Sequence, residues 1–176
     1  MTPEPTLTLA TGKFLTLVRE GHWEYVDRTG ATGATIIVAV TDDRKLLLVE
    51  QHRIPVHART IELPAGIVGD EPANKRESLE ESAKRELLEE TGYSAAEMER
   101  LTTGPASSGL TSELVTLLIA SELKRVHAGG GVAHEKITVH EIPIEEVHEW
   151  LGARAAEGVL IDPKIYAGLY FLGRKS

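Results

Sequence analysis

Carboxylates concentrate in the stretch AKRELLEETGY, residues 83–93, which holds three glutamates and one arginine between Arg85 and Glu90. At about 100° per residue of an α-helix, Glu86 and Glu90 both fall within about 20° of Leu79, which begins an apolar stripe. Two like charges four residues apart on the core-facing side repel each other and lose solvation. Mg²⁺ would relieve that conflict, because it prefers oxygen ligands and accepts one or two carboxylates beside waters. The spacing therefore indicates a metal site, with a plain solvated acidic helix as the alternative.

The helix that must carry these side chains is predicted over residues 75–91. Asn74 precedes it and Glu77 follows three residues later, which is the pattern of a capping box. Gly92 lies just past the last periodic residue, where a left-handed C-terminal cap favours glycine. Both ends of the helix are therefore marked by independent signals.

Strand patterns lie on both sides of this helix. Residues 12–28 predict two short strands around a turn, and residues 34–40 and 45–51 predict a hairpin with a four-residue loop. Residues 60–63 predict a short strand that stops at Pro64. Later strands are predicted in MERLTTG, SELVTLLIASEL and EKITVHEIPI, and two helices in IEEVHEWLGARAAEG and DPKIYAGLYFLGR. This order favours an α/β fold in which helices cover a mixed sheet.

Composition limits the classes of function. The chain has 176 residues, enough for one domain with a proper core, and a net charge of −8, which disfavours binding to long nucleic acids. It has no cysteine, so disulfides, thiolate zinc sites and cysteine nucleophiles are excluded. Its start lacks a basic region followed by an apolar run, and its longest apolar runs are too short to span a bilayer. We expect a soluble cytoplasmic protein, in which a small phosphate-bearing ligand would need arginines or metal ions.

The segment ESLEESAKRELLEETGY resembles the Nudix box: a glutamate, seven residues, then Arg-Glu-apolar-x-Glu-Glu-x-Gly-apolar. The matching positions are Glu77, Arg85, Glu86, Leu87, Glu89, Glu90, Gly92 and Tyr93. One feature departs from the family pattern. The signature glycine usually lies five residues before the first glutamate, but here ten residues separate the candidate Gly66 from Glu77. We expect a longer loop before the helix and an intact catalytic half of the box.

The resemblance extends to HWEYVDR, VEQHRIP, ELPAG, GLTSE, HEKITVHEIP and IDPKIYAGLYFL, which look like the Nudix branch that hydrolyses ADP-ribose and other nucleoside diphosphate sugars. It implies an α/β/α sandwich with a mixed sheet over residues 34–176 and short N-terminal antiparallel strands over residues 1–33. It also implies attack of water on a pyrophosphate with Mg²⁺, or Mn²⁺ as an alternative, and a homodimer that exchanges the N-terminal strands. The alternatives are a Nudix hydrolase of another nucleoside diphosphate derivative and a non-catalytic nucleotide-sugar sensor.

Metal ligands and catalytic groups follow from the same resemblance. The metal candidates are the backbone carbonyl of Ala65 and the carboxylates of Glu86, Glu89, Glu90 and Glu135. Glu89 has a second interpretation, as the ion-pair partner of Arg85, which would orient the glutamates. Relatives often carry another acidic residue two positions before Glu135, where this chain has Ala133, so the general base is expected to be Glu135 or Glu90.

Four further residues are expected to contact the substrate. Arg53 suits bidentate contacts with phosphate oxygens, and Glu62 belongs to the ELPAG match. Glu113 follows the SSGLTS loop and is expected to face the substrate. Trp23 resembles the aromatic that stacks on the nucleobase, from the same or the partner subunit. A surface arginine and an ordinary packing tryptophan are the structural alternatives for Arg53 and Trp23.

Overall fold

The computed structural model describes residues 5–69, 74–131 and 136–175. It begins with an antiparallel three-stranded sheet of β1 (Thr6–Thr11), β2 (Leu15–Glu20) and β3 (Trp23–Arg28). Gly21 in the β2–β3 turn has φ 59°, a left-handed conformation that glycine adopts without strain. The two predicted N-terminal strands are therefore present, and β1, whose six residues are all exposed, is an additional strand that the pattern did not predict.

Two four-stranded sheets form the centre of the molecule. The first has the order β7–β4–β9–β8, with the bounds Ala65–Val68, Gly33–Ala39, Leu114–Arg125 and Tyr93–Pro105. The second has the order β10–β5–β6–β11, with the bounds Thr138–Pro143, Lys45–Arg53, Ala58–Glu62 and Leu160–Ile161. Strand β4 is parallel to β9, and β11 is parallel to β6, whereas the other neighbours are antiparallel. Both central sheets are therefore mixed, as predicted.

Three helices cover the sheets: α1 (Leu79–Thr91), α2 (Val147–Ala156) and α3 (Lys164–Lys175). Successive residues of β4 point to opposite faces. Ile37 shares a core cluster with Leu87 of α1, whereas Ile36 shares one with Leu151 of α2 and Ile165 of α3. The strands thus lie between α1 on one side and α2 and α3 on the other, which confirms the α/β/α sandwich. No helix within the described ranges is long and apolar enough to cross a membrane.

The predicted hairpin of residues 34–40 and 45–51 is wrong in its pairing. Val40 and Leu46 form an isolated bridge, but β4 and β5 belong to different sheets. The physical reason lies in the burial of β5, where residues 46–50 are buried without a break. A strand that buries both faces lies inside the fold with neighbours on both sides, so its chain neighbour need not be its pairing partner.

The start of α1 also differs from the prediction. The N-cap is Ser78, and its capping box joins Ser78 to Glu81 through hydrogen bonds of 3.2 and 2.8 Å, in place of the predicted Asn74 and Glu77. Ser78 directly precedes the first helical residue, whereas the carboxylate of Glu77 is bound by an arginine further along the helix. The predicted C-cap is confirmed, because Gly92 has φ 78° and its N–H donates to Leu88 O at 2.8 Å.

Candidate active site

Arg85 organises the acidic face of α1. Its Nε and Nη2 each donate to Glu77 at 3.0 Å, and its Nη1 donates to Glu86 at 2.9 Å and to Glu89 at 3.3 Å. The hydrogen bonds that Arg85 donates to Glu77 and the nearby charge of Glu86 raise the pKa of Arg85 above its usual value, although burial opposes them. Arg85 therefore holds three carboxylates that would otherwise repel one another on one helix.

The turn between β6 and β7 receives the other end of this face. Glu90 is 5% exposed, and its Oε2 accepts a hydrogen bond from the Ala65 N–H at 3.0 Å. Glu86 packs against Gly66 so closely that a Cβ at Gly66 would lie 1.9 Å from Glu86 Cγ. The same turn is tied to β4, because Ile37 N donates to Pro64 O at 2.8 Å. The backbone of Ala65 and Gly66 thus fixes where both glutamates point.

These glutamates line a cleft of about 400 Å³. Its wall brings together residues from the N-terminal sheet, both central sheets, α1 and the start of α3. The polar side chains of the wall are Arg28, Gln51, Arg53, Glu62, Glu86, Glu90, Glu113 and Lys164. The rest of the wall is Gly66 and six apolar residues: Ala34, Ile36, Ala65, Ile67, Ala106 and Val115. The cleft therefore carries four carboxylates and three cations, a mixture suited to a charged ligand.

Arg53 and Glu62 form a bidentate pair on one wall of the cleft. Arg53 Nε donates to Glu62 Oε1 at 2.7 Å, and Nη2 donates to Oε2 at 2.6 Å. Thr60 Oγ1 donates to the same carboxylate. Burial raises the pKa of Glu62, but the hydrogen bonds from Arg53 and Thr60 outweigh it and hold that pKa below its usual value. Both side chains are therefore charged, and the guanidinium has a fixed orientation.

Strand β3 of the N-terminal sheet lies against the segment 106–113. Val26 N donates to Leu110 O at 2.9 Å, and Trp23 Nε1 donates to Gly109 O at 3.3 Å. Trp23 is 51% exposed and lies outside the cleft lining given above. Within one chain, the indole of Trp23 therefore contacts the segment 106–113 and does not line the cleft.

Comparison with known proteins adds an independent observation. The NUDIX domain family profile matches residues 31–166, which includes both central sheets, α1 and the start of α3. The chain belongs to the NUDIX domain family. A solved structure described as an ADP compounds hydrolase matches with a TM-score of 0.66 at 21% identity, and the match covers 84% of this chain and 82% of that chain. That similarity supports the fold.

Relatives of this NUDIX chain carry several names. It is 37% identical over 117 residues to an ADP-ribose pyrophosphatase of Bacillus subtilis, and 33% identical over 120 residues to a methanol dehydrogenase activator of Bacillus methanolicus. These alignments cover 66% and 68% of this chain, but 57% and 62% of the relatives. A GDP-mannose pyrophosphatase of Escherichia coli K12 is 34% identical over 137 residues, 73% of this chain and 67% of its own. The chain thus spans about three fifths of the length of the first two relatives.

The NUDIX fold brings most of the predicted site residues into one place. Ala65, Glu86, Glu90, Arg53, Glu62 and Glu113 all line the cleft. Glu89 lies outside that lining and accepts a hydrogen bond from Arg85, which matches its second interpretation. Glu135 and Ala133 lie outside the residues that the structure describes.

Three polar cleft residues were not among the predicted site residues: Arg28, Gln51 and Lys164. Gln51 had a usable signal, because it lies two residues before Arg53 on the same strand and so faces the same side. Arg28 and Lys164 lie in the segments HWEYVDR and IDPKIYAGLYFL, which resemble the family, but no spacing within the sequence links them to the acidic helix. Each ends or begins an element, and only the packing of the N-terminal sheet and of α3 brings it to the cleft.

The donor atoms of the cleft fit a hard divalent cation. Glu86 and Glu90 are carboxylates one helical turn apart, and both pack on the backbone turn that carries the Ala65 carbonyl. Mg²⁺ favours oxygen donors and usually keeps several waters, so two carboxylates and one carbonyl are a sufficient protein share. Within the described ranges, no group of three or more acidic or histidine side chains converges into a ready-made metal cage. The fit is therefore to a cation that retains waters.

Proposed function

We propose that this protein hydrolyses the pyrophosphate bond of ADP-ribose or a related nucleoside diphosphate sugar in a Mg²⁺-dependent reaction. Water attacks one phosphorus, the bond from that phosphorus to the bridging oxygen breaks, and the products are a nucleoside monophosphate and a sugar phosphate. The observation that carries the proposal is the placement of Glu86 and Glu90 against the Ala65–Gly66 backbone, inside a cleft that also contains Arg53. The names of two relatives, an ADP-ribose and a GDP-mannose pyrophosphatase, point to the same substrate class.

Glu86, Glu90 and the Ala65 carbonyl are the proposed metal ligands, with Glu89 and Glu135 as further candidates. These residues would hold Mg²⁺, or Mn²⁺ as the alternative, which would supply positive charge to offset that of the diphosphate and would make the attacking water more acidic. Glu90 or Glu135 is the proposed general base that accepts the proton of the attacking water. Arg85 orients the glutamates, since its guanidinium donates to Glu77, Glu86 and Glu89 at 2.9–3.3 Å.

Arg53 is the proposed diphosphate contact on the opposite wall. A guanidinium has five N–H groups, and the two hydrogen bonds to Glu62 use two of them. The remaining groups can donate to phosphate oxygens, while the pair with Glu62 prevents the side chain from changing direction. Because the arginine is already ordered, little side-chain entropy is lost when the phosphate binds.

A panel of nucleoside diphosphate sugars and other nucleoside diphosphate derivatives tests the proposal. Each compound is incubated with Mg²⁺ or with EDTA, and the products are identified by chromatography. We expect cleavage of at least one compound with Mg²⁺ and none with EDTA. Absence of turnover for every diphosphate under both conditions would refute the hydrolase. Tight binding of a compound that stays intact after long incubation would instead establish the sensor. Cleavage confined to diphosphates without a sugar would indicate a NUDIX hydrolase of another derivative.

The assembly and location of the protein are part of the proposal. We propose a cytoplasmic homodimer in which residues 1–33 are exchanged between subunits. Large apolar side chains are exposed on the N-terminal sheet, among them Leu7, Phe14 and Leu15. An exchange would give the partner subunit the contacts that β3 makes with the segment 106–113 of its own chain. Sedimentation equilibrium should give twice the 19.2 kDa chain mass, and a monomer at micromolar concentration would contradict the exchange.

A further inference from the structure

An ion pair separates the cleft from a second, smaller cavity. Arg28 Nε lies 2.5 Å from Glu113 Oε1, and the two side chains are 31% and 15% exposed. Both residues line the cleft of about 400 Å³, and both also line an adjoining cavity of about 160 Å³. The other residues of this side cavity are Ala31, Thr32, Gly33, Ser112 and Leu114. The pair is therefore the shared wall of two spaces.

The position of Arg28 depends on the N-terminal sheet. It is the last residue of β3, whose backbone bonds to the segment before Glu113 through Val26 N to Leu110 O at 2.9 Å and Ser112 N to Val26 O at 3.3 Å. Ser112 Oγ also donates to Asp27. These hydrogen bonds hold the end of β3 beside the segment that precedes Glu113, so that Arg28 faces Glu113.

A carboxylate on the wall of a diphosphate cleft needs a specific reason. Ionised Glu113 accepts hydrogen bonds but cannot donate them, and phosphate oxygens are also acceptors. The groups of a nucleoside diphosphate sugar that can donate to Glu113 are its hydroxyls and the N–H groups of its base. Arg28 offsets the charge of Glu113, which lowers its repulsion toward the diphosphate while leaving it able to accept.

The size and lining of the side cavity suit a sugar ring better than a base. Its volume equals roughly five waters. Apart from the Arg28–Glu113 pair, its described lining consists of small residues and one leucine, without the aromatic surface on which bases stack. The exposed indole of Trp23 lies at the other end of β3, about 17 Å away along the strand at about 3.4 Å per residue. The base and the ring in the side cavity thus have separate places.

On this basis we propose that the Arg28–Glu113 pair selects the sugar of the substrate. Glu113 accepts hydrogen bonds from sugar hydroxyls, Arg28 is the positioning residue that holds the carboxylate, and the side cavity takes the hydroxylated ring. The inference rests on the proposed function, because it assumes that a nucleoside diphosphate sugar occupies the cleft. Beyond that function, the inference specifies that the sugar is the part of the substrate that is selected and that the selection depends on Arg28.

The test compares two ratios of kcat/KM in the full chain with Mg²⁺. The sugar ratio compares ADP-ribose with ADP-glucose, and the base ratio compares ADP-glucose with GDP-glucose. The wild-type protein should discriminate between the two sugars. In Arg28→Met we expect the sugar ratio to move toward one by at least fivefold, through KM rather than kcat, with the base ratio within twofold of wild type. A variant that only loosened the fold would lower kcat/KM for all compounds together and leave both ratios unchanged.

Arg100→Met is the matched control, since Arg100 also pairs with a glutamate, Glu80, at 2.7 Å but lies outside the lining of both cavities. It should leave both ratios unchanged. Ala31→Leu fills the side cavity without removing either charge, so it should disfavour the larger hexose relative to ribose even if Arg28→Met does not fold.

The outcomes separate the two proposals. A wild-type protein that cleaves none of the three compounds contradicts the proposed function. A wild-type protein that cleaves them without sugar discrimination, or whose sugar ratio is unmoved in both Arg28→Met and Ala31→Leu, overturns the inference alone. A base ratio that collapses while the sugar ratio holds would also overturn it, because the pair would then contact the base.

Discussion

Two buried glutamates occupy opposite environments in this molecule. Glu50 on β5 is 2% exposed and contacts Arg59 at 2.5 Å, His140 at 2.8 Å and Arg154 at 3.1 Å. Glu90 on α1 is 5% exposed, but it lines the cleft and accepts from the backbone of the β6–β7 turn. Two arginines and a histidine from three elements surround Glu50, whereas Glu90 lies one helical turn from another carboxylate.

The difference separates a carboxylate that joins several elements from one that we propose as a metal ligand. The partners of Glu50 tie β5, β6, β10 and α2 together on the side of the sheet away from the cleft. Glu86 and Glu90 place two carboxylates one helical turn apart at the surface of a cavity, and Arg85 pairs with Glu86. A divalent cation bound between them would further offset their mutual repulsion. Four substitutions can break or sharpen this comparison.

The largest expected effect follows from Glu90→Gln. The change retains the size of the side chain but removes the charge, so it should reduce kcat by at least about 10²-fold, the size of a typical acid–base contribution. The midpoint of thermal unfolding should change little. Steady-state kinetics with Mg²⁺ and a melting curve on the same preparation measure both. Near-normal activity would remove Glu90 from the site and bring Glu135 forward as the base.

Glu50→Gln should show the reverse pattern. Loss of the carboxylate removes the anion that Arg59 and Arg154 share, which should lower the free energy of unfolding by about 3 kcal/mol. This value is the low end for a broken buried ion pair, because Arg59 is half exposed and can be solvated. Urea unfolding measures the loss, and kcat of the folded fraction should stay within about threefold of wild type. A large loss of kcat with unchanged stability would erase the distinction between the two glutamates.

This contrast also explains what the sequence could and could not predict. The spacing of Glu86 and Glu90 on one helix is a local feature, so the helical periodicity was sufficient to find them. The cluster around Glu50 was not predictable, since His140 and Arg154 lie 90 and 104 residues away along the chain. Its assembly depends on how β5, β10 and α2 pack. The wrong hairpin has the same origin, because local turn signals do not specify which sheet a doubly buried strand joins.

The capping error in α1 shows a competition between two local patterns. Asn74 with Glu77 and Ser78 with Glu81 both satisfy the spacing of a capping box. Arg85 decides between them, because its bidentate contact with Glu77 assigns that carboxylate to the acidic face of the helix. A tertiary contact of the site, rather than helix propensity, therefore determines which residue serves the cap.

The pH dependence of Glu50→Gln provides a finer test. Burial raises the pKa of Glu50, but hydrogen bonds from Arg59 and His140 outweigh it and leave that pKa below the usual value of 4.5. A carboxylate with a lowered pKa in the folded state stabilises the protein above its unfolded-state pKa, and this stability is lost as pH falls through the folded-state pKa. The difference in unfolding free energy between wild type and Glu50→Gln should therefore shrink as the pH falls below about 4.5. A difference that grew on acidification would mean that the contacts do not favour the charged form.

The smallest expected effect concerns a buried polar group that, unlike Glu50, has no hydrogen-bond partner among the described residues. Ser82 on α1 is fully buried, and its Oγ has no hydrogen-bond partner among the described residues. Ser82→Ala should raise the free energy of unfolding by about 1 kcal/mol, because it removes an unsatisfied hydroxyl and improves helix propensity.

Thr91→Val is the matched control for Ser82→Ala on the same helix. Thr91 Oγ1 donates to Leu87 O at 2.5 Å and accepts from Tyr93 N at 3.2 Å, so loss of this hydroxyl should lower stability by about 1 kcal/mol. Opposite signs for the two substitutions in urea unfolding would show that the partners of a buried polar group, rather than its burial, set its contribution. If both substitutions destabilised the protein, Ser82 would have a partner in solution, and burial alone would be a poor guide to Glu50 and Glu90 as well.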